Sequence, residues 1–247
     1  MVFDVRSHET YSSLRVPPSA EVVLRLDGRG FHGLTEKLGF TRPYDENFRD
    51  IMAATSMDIM EEFSPAFIYT FSDEINILLS EVPFSGRVEK LDSVFAALAS
   101  SSFTLEALSL GFKLDQAVSF DCRTIPLAGG AVQEYFRSRQ SEAWRNCLNG
   151  YAYWTLRAEM GKEEAVRTLE GLKSEGIHDL LFERGINISR VPSWQRRGIG
   201  VYRRPVEVEG YNPLRDERVT ASRMRTIVDM DLPLFTGEFF RELIRTG

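Results

Sequence analysis

The chain has 247 residues, 43% of them hydrophobic and 27% charged, and a formal net charge of −6. This is the composition of an ordinary globular protein with length for one large or two modest domains. No apolar run approaches the roughly 18 residues that span a bilayer, which reads against a membrane protein. The N-terminal segment, with Asp4, Arg6, His8 and Glu9, does not read as a secretory signal. Two cysteines, Cys122 and Cys147, have neither metal-ligand spacing nor a pairing pattern, as expected of free thiols in a reducing cytoplasm.

In chain order, residues 22–27 read as a buried strand that stops at Gly28-Arg29-Gly30. A helix over 45–63 follows, with Asp45 as its N-cap and Phe48, Ile51, Met52, Ile59 and Phe63 as its apolar stripe. Strands at 66–71 and 75–80, separated by Ser72-Asp73-Glu74, form a hairpin. A helix over 88–110 ends at Gly111, and a strand over 116–123 closes the set. Strand, helix, strand, strand, helix, strand is the split βαβ, ferredoxin-type order, so the expected class is α+β. Beyond Gly129-Gly130 the pattern reads as mostly helical, over 131–139, 142–160, 163–173 and 175–182. The expected division is a catalytic core over 1–130 and a helical, arginine-rich region over 131–247, with a soft boundary.

Two acidic motifs stand at strand ends: Asp27 after Val22-Val23-Leu24-Arg25-Leu26, and Asp73-Glu74 after Phe67-Ile68-Tyr69. In the βαββαβ order the first strand lies beside the hairpin, which brings Asp27 to the Asp73 tip. Paired carboxylates there suit hard divalent cations and a triphosphate. Neighbouring strand residues face opposite ways, so Asp73 is the expected bridging ligand, and Glu74 reaches a second metal, supports a ligand or is an exposed turn acid. Gly28, Gly30 and Gly33 match G-x-G-x-x-G, but Asp27 and the chain beyond Gly33 are wrong for a dinucleotide fingerprint. Backbone N–H groups close to phosphate are the better use of these glycines, and the Gly28 carbonyl is a candidate metal ligand. His32 is a candidate triphosphate donor or a packed loop residue, and Ser72 a phosphate ligand or turn cap. Arg42, Arg87 and Lys90 are candidates for neutralising phosphate at the same edge, against a default of solvated surface.

Charge is unevenly spread. Residues 184–225 hold ten arginines against four acids, a net +6 that leaves −12 elsewhere. An enzyme that grips a polyanion with one region and holds cations in another has this pattern, and so does a salt-bridged surface.

Leu26-Asp27-Gly28-Arg29-Gly30-Phe31-His32, with Phe71-Ser72-Asp73-Glu74, resembles the tRNA-histidine guanylyltransferase family and its 3′–5′ polymerase relatives. The likeness continues through Arg42-Pro43-Tyr44-Asp45, Phe84 to Lys90, Phe120-Asp121-Cys122-Arg123, Trp144-Arg145-Asn146, Asn187 and Pro192 to Gly198, covering about residues 20 to 204. It implies a palm-like core, two Mg²⁺ ions, ATP with GTP or other nucleoside triphosphates as substrates, tRNA as partner and a cytoplasmic homotetramer with no membrane contact. By resemblance, Asp27, Gly28 and Asp73 ligate metal and Glu74 contributes, while Arg29, Gly30, Phe31, His32, Arg42, Asp45, Ser72, Arg87 and Lys90 line the triphosphate sites. Arg42 stands where the family pattern has lysine. The implied chemistry activates a 5′-monophosphorylated tRNA with a nucleoside triphosphate, after which the 3′-hydroxyl of an incoming nucleotide attacks the activated phosphate.

Where eukaryotic guanylyltransferases carry His-Ile-Asn-Asn-Leu-Tyr-Asn, this chain has Trp144-Arg145-Asn146-Cys147-Leu148-Asn149-Gly150. That departure favours templated repair of truncated 5′ ends over addition of G to tRNA-histidine. Arg190, Arg196 and Arg197 are expected to touch tRNA phosphates, with Trp194 as core or as a stacking platform. The competing readings are a nucleotide cyclase on the same core and a non-catalytic RNA-binding module.

Overall fold

The computed structural model describes residues 4–212 and 217–246, so Arg215 and Asp216 of the arginine-dense segment lie outside the described residues. Strand β1 (Glu21–Gly28) buries residues on both faces. Val22, Leu24 and Leu26 pack against helices α2 (Glu46–Phe63) and α3 (Val88–Ser109), whereas Val23 joins the cluster on the other side. Each fully buried Leu, Ile or Phe contributes roughly 1.5–3 kcal/mol. A one-residue slip would turn Leu24 and Leu26 to the wrong face, so the same burial that holds β1 also fixes where Asp27 points.

With β2 (Phe67–Phe71), β3 (Glu74–Leu78) and β4 (Phe120–Leu127), β1 forms the order β4-β1-β3-β2, each neighbouring pair antiparallel. Strand β4 begins four residues later than expected. Its eight residues pair with all eight of β1, from Gly28↔Phe120 to Glu21↔Leu127, and this pairing sets its bounds. A short helix missed in the sequence, α1 (Phe31–Lys37), starts from Gly30 in the left-handed conformation (φ 72°). Asp45 caps α2, accepting from the Asn47 and Phe48 amides.

The second half departs further from expectation. Helix α4 (Ala131–Glu159) is continuous where two helices were expected. Gln140, at the expected break, is buried and bonded at both ends of its amide, to the Pro233 carbonyl and from the Phe235 amide. Helices α5 (Lys162–Leu169), α6 (Ser174–Glu183) and α7 (Ser193–Arg197) come next. Helix α5 stops short of its expected end, and Gly171 just beyond it takes a positive φ.

Most of the remaining chain is not helical. Strands β5 (Ile199–Asn212) and β6 (Glu217–Asp229) form a long hairpin that extends the sheet to β4-β1-β3-β2-β5-β6. Only Ile199, Gly200 and Val201 pair with β2, so the hairpin continues past the sheet as a two-stranded ribbon. Helix α8 (Gly237–Thr246) and α4 cover the second face of the sheet around Phe67, Tyr69, Phe136 and Phe235. Residues beyond Gly129 and Gly130 therefore build part of the same sheet and the second core cluster. Among the described residues no helix is long and apolar enough to cross a membrane.

Candidate active site

Strand register brings the acids together. Asp27 lies opposite Glu74 on β3 and opposite Asp121 on β4, so three acids share one face at one end of the sheet. The Gly28 amide donates to the Asp73 carbonyl at 3.0 Å, tying the hairpin turn to the end of β1. Across the turn, Thr70 Oγ1 donates to the Glu74 carbonyl (2.8 Å). Ser72 takes a positive φ of 50°, and its hydroxyl donates to Asp73 Oδ1 (3.0 Å). Because Asp73 sits in the turn, strand alternation does not bind it, and only Glu74 has a face assigned by the sheet.

Both central carboxyls are held above the ordinary carboxylate range. For Asp27 the causes are burial, then the charges of Glu74 and Asp121; Arg123 and Arg25 oppose them more weakly. For Asp73 burial again leads, with Asp27 and Glu74 adding repulsion against the Ser72 hydrogen bond. Acids that repel one another in a partly desolvated place are stabilised by bound cations.

Gly28 has a steric reason to be glycine, since a Cβ there would come within 2.2 Å of the Phe31 ring. Phe31 is locked in turn against Phe103 and Phe120, both at 4.9 Å between ring centroids. Gly33 faces open space at an ordinary φ, so the third glycine of the G-x-G-x-x-G match meets no structural demand.

Beside the acids lies a pocket of about 200 Å³. Phe31, His32, Arg42, Asp45, Ser72 and Asp73 line it, which unites much of the expected triphosphate set. Arg42 is anchored to Thr35 Oγ1 (2.8 Å) and the His32 carbonyl (3.3 Å), and its guanidinium lies 5.4 Å from the Trp154 ring. His32 is exposed at the start of α1, settling the choice against a histidine packed under the loop. Asp45 is fully used by Thr41 and by the first turn of α2, and these bonds outweigh burial to keep its carboxyl below the usual range. Arg29 and Gly30 are exposed just outside the pocket.

Other expected residues lie elsewhere. Arg87 and Lys90 begin α3 at the opposite end of the sheet, where Val23 pairs with Leu78 and the Val16 amide bonds the Gly86 carbonyl. Four strand residues separate that end from Asp27, roughly 13 Å at about 3.3 Å each. The expectation of a shared edge fails because β3 carries the chain away from the turn. Arg196 and Arg197 are half-buried, and each donates one N–H to a backbone carbonyl, of Val191 and Leu232 respectively (both 3.0 Å). Arg190 is exposed. Trp194 packs edge-on to Tyr44 and beneath Arg49 while lining the pocket.

Asp121, Asn146 and Gln195 fall within the family likeness but were given no site role from the sequence, and Arg139 was missed; Asn146 and Gln195 line the pocket. Asp121 is implied by the register of β4 once its bounds are known. Arg139, on α4, binds Glu74 with Nε (2.8 Å) and Nη2 (2.7 Å) across 65 residues of chain, and no local pattern signals that.

An antiparallel sheet with converging acids at one strand end, flanked by a pocket holding arginine and histidine, defines a site of the nucleotidyl-transfer class. A family model described as "Thg1: tRNAHis guanylyltransferase" matches residues 3–128. A probable tRNA(His) guanylyltransferase of Drosophila melanogaster is 30% identical, covering 82% of this chain and 73% of its own length. One from Dictyostelium discoideum is 26% identical over 90% of this chain and 88% of its own. Among solved structures, a bacterial tRNA(His) guanylyltransferase (Thg1)-like protein in complex with ATP superposes with a TM-score of 0.76 at 24% identity, covering 97% of this chain and 95% of that one. The chain belongs to the Thg1, tRNAHis guanylyltransferase, family and is a nucleotidyltransferase that adds nucleotides to the 5′ end of tRNA.

Proposed function

We propose that this enzyme adds a guanylate to the 5′ end of tRNA-histidine on a palm-like core, using Mg²⁺ and nucleoside triphosphates. The observation that carries this reading is the joining of Asp27 to the Asp73 turn through the Gly28 amide, beside a pocket holding Arg42 and His32. The names of its relatives favour guanylate addition over the templated repair expected from the Trp144 to Gly150 departure. Repair remains the second reading because that stretch lacks most of the guanylyltransferase motif.

The donors fit a hard cation: all are oxygens, and the two carboxyls at the centre repel each other. Asp27, Asp73 and the Gly28 carbonyl would hold Mg²⁺. Among the described residues no group of three or more His, Cys, Asp or Glu is placed to hold a metal ion by itself, so substrate phosphates would have to complete the site. When bound, the ions withdraw charge from phosphoryl oxygens and favour ionisation of the attacking hydroxyl. Arg42 neutralises a triphosphate from the pocket wall and His32 donates a hydrogen bond to it. Activation joins the tRNA 5′ phosphate to a nucleoside monophosphate with loss of pyrophosphate. Attack by the 3′-hydroxyl of GTP then releases that monophosphate.

The test uses tRNA-histidine transcripts with a labelled 5′ monophosphate, ATP, Mg²⁺ and each nucleoside triphosphate singly, with the opposing base varied. Addition of G whatever base stands opposite, lost in Asp73→Ala, is the expected result. Extension only by the complementary nucleotide would replace the lead reading with templated repair.

A further inference from the structure

We propose that Arg139 is a positioning residue that withdraws Glu74 from the metal-ligand set and fixes the Asp73 turn, leaving Asp27 and Asp73, of the three motif acids, to face the cations. The proposal rests on the metal-dependent reading above. Register alone makes Glu74 the natural partner of Asp27, because the two are directly paired on one face. Its hydrogen bonds point elsewhere. Glu74 Oε1 accepts from Arg139 Nε (2.8 Å) and Asn76 Nδ2 (2.8 Å), and Oε2 accepts from Arg139 Nη2 (2.7 Å). Their side chains are only 17% and 9% exposed for Arg139 and Glu74, so solvent does little to weaken the pair.

The arginine is itself held. Its guanidinium lies 5.6 Å from the Phe71 ring, and Phe71 pairs with Glu74 to close the turn that presents Asp73. One helical turn earlier on α4, the Tyr135 hydroxyl donates to Asn76 Oδ1 (2.6 Å), which orients the Asn76 amide towards Glu74. Tyr135 and Arg139, four residues apart on one helix face, thus hold two alternate residues of β3. Arg139 grips both ends of the turn, Phe71 by its ring and Glu74 by its charge.

The experiment measures Mn²⁺ binding to the full-length protein without nucleotide, by the electron paramagnetic resonance of free Mn²⁺, alongside steady-state nucleotide addition. Asp73→Asn is expected to weaken Mn²⁺ binding more than about tenfold, and Glu74→Gln to change it by less than about twofold. Arg139→Gln frees an acid beside Asp27, so Mn²⁺ binding should tighten while kcat falls at least about tenfold with little change in KM for the triphosphate. The Glu74→Gln/Arg139→Gln variant should be no slower than the worse single variant. Arg139→Lys keeps the charge and gives up the two-pronged geometry, and is expected to show the same pattern at smaller amplitude should Arg139→Gln fold poorly. Glu74→Gln weakening Mn²⁺ binding as much as Asp73→Asn would make Glu74 a ligand and overturn the role given to Arg139. Independent, multiplying losses in the double variant would also overturn it. Asp73→Asn without effect on Mn²⁺ would instead remove the metal site, and both proposals with it.

Discussion

Asp27 and Asp73 each contribute to how stability responds to pH, with a sign opposite to that of Asp45. Both carboxyls titrate above the ordinary value of 3.8 in the folded chain, so the folded state binds more protons than the unfolded one just above that value. The metal-free protein therefore loses stability from this pair as pH rises from about 3.8 through the raised values. Asp73→Asn removes one source of repulsion. In EDTA at pH 7 its melting temperature should exceed the parent's by about 2–4 °C, the shift that roughly 1 kcal/mol produces in a chain of this size. Thermal melts at pH 4 and pH 7 check this, and a variant melting lower at pH 7 would contradict it. The two acids were readable because each ends an apolar run, whereas the steric demand on Gly28 was not, since it comes from the way Phe31 folds back over the strand end. Arg139 was not readable. Its partner is fixed by the way α4 lies across β3, which depends on packing far from either residue.

The hairpin β5–β6 is the element that sequence reading lost, and its arginines are our proposed further tRNA contact. Tyr202, Val206 and Val208 do fall at alternate positions, but Arg204 stands between them in the same alternation and masks the period of two. Arg204 lies directly opposite Arg225, with Arg223 two residues further along the same face, and all three are exposed. Like charges in direct cross-strand pairs destabilise a ribbon, and an RNA backbone supplies the missing anions. Arg223→Gln/Arg225→Gln is expected to weaken tRNA binding and to flatten its dependence on log salt by about two units. Affinities measured across a salt series test this, with an unchanged slope counting against it. The ends of α4 were placed correctly and its middle was not, because the polar Gln140-Ser141 pair resembles a break until Pro233 and Phe235 are seen to satisfy Gln140.

The molecule as a whole is one sheet with a core on each face and a third cluster where α4 packs on α6, and the acids gather at one end of the sheet. The four strands that frame the acids were legible in type and order because hydrophobic runs and a short hairpin dictate them. The other half depended on contacts made at long sequence separation, such as Tyr69 donating to the Arg197 carbonyl (2.8 Å). There Gly198 is pressed so close that a Cβ would lie 2.8 Å from the Thr70 carbonyl oxygen. Pairing of Arg204 with Arg225 has one more effect, on the protein alone. Added salt screens that repulsion, so the ribbon should hold together better under the same conditions that loosen its grip on RNA. Amide hydrogen exchange along 203–208 should slow as KCl is raised and slow again, at low salt, when any polyanion is added. The ribbon is thus a strand pair that is completed by its ligand.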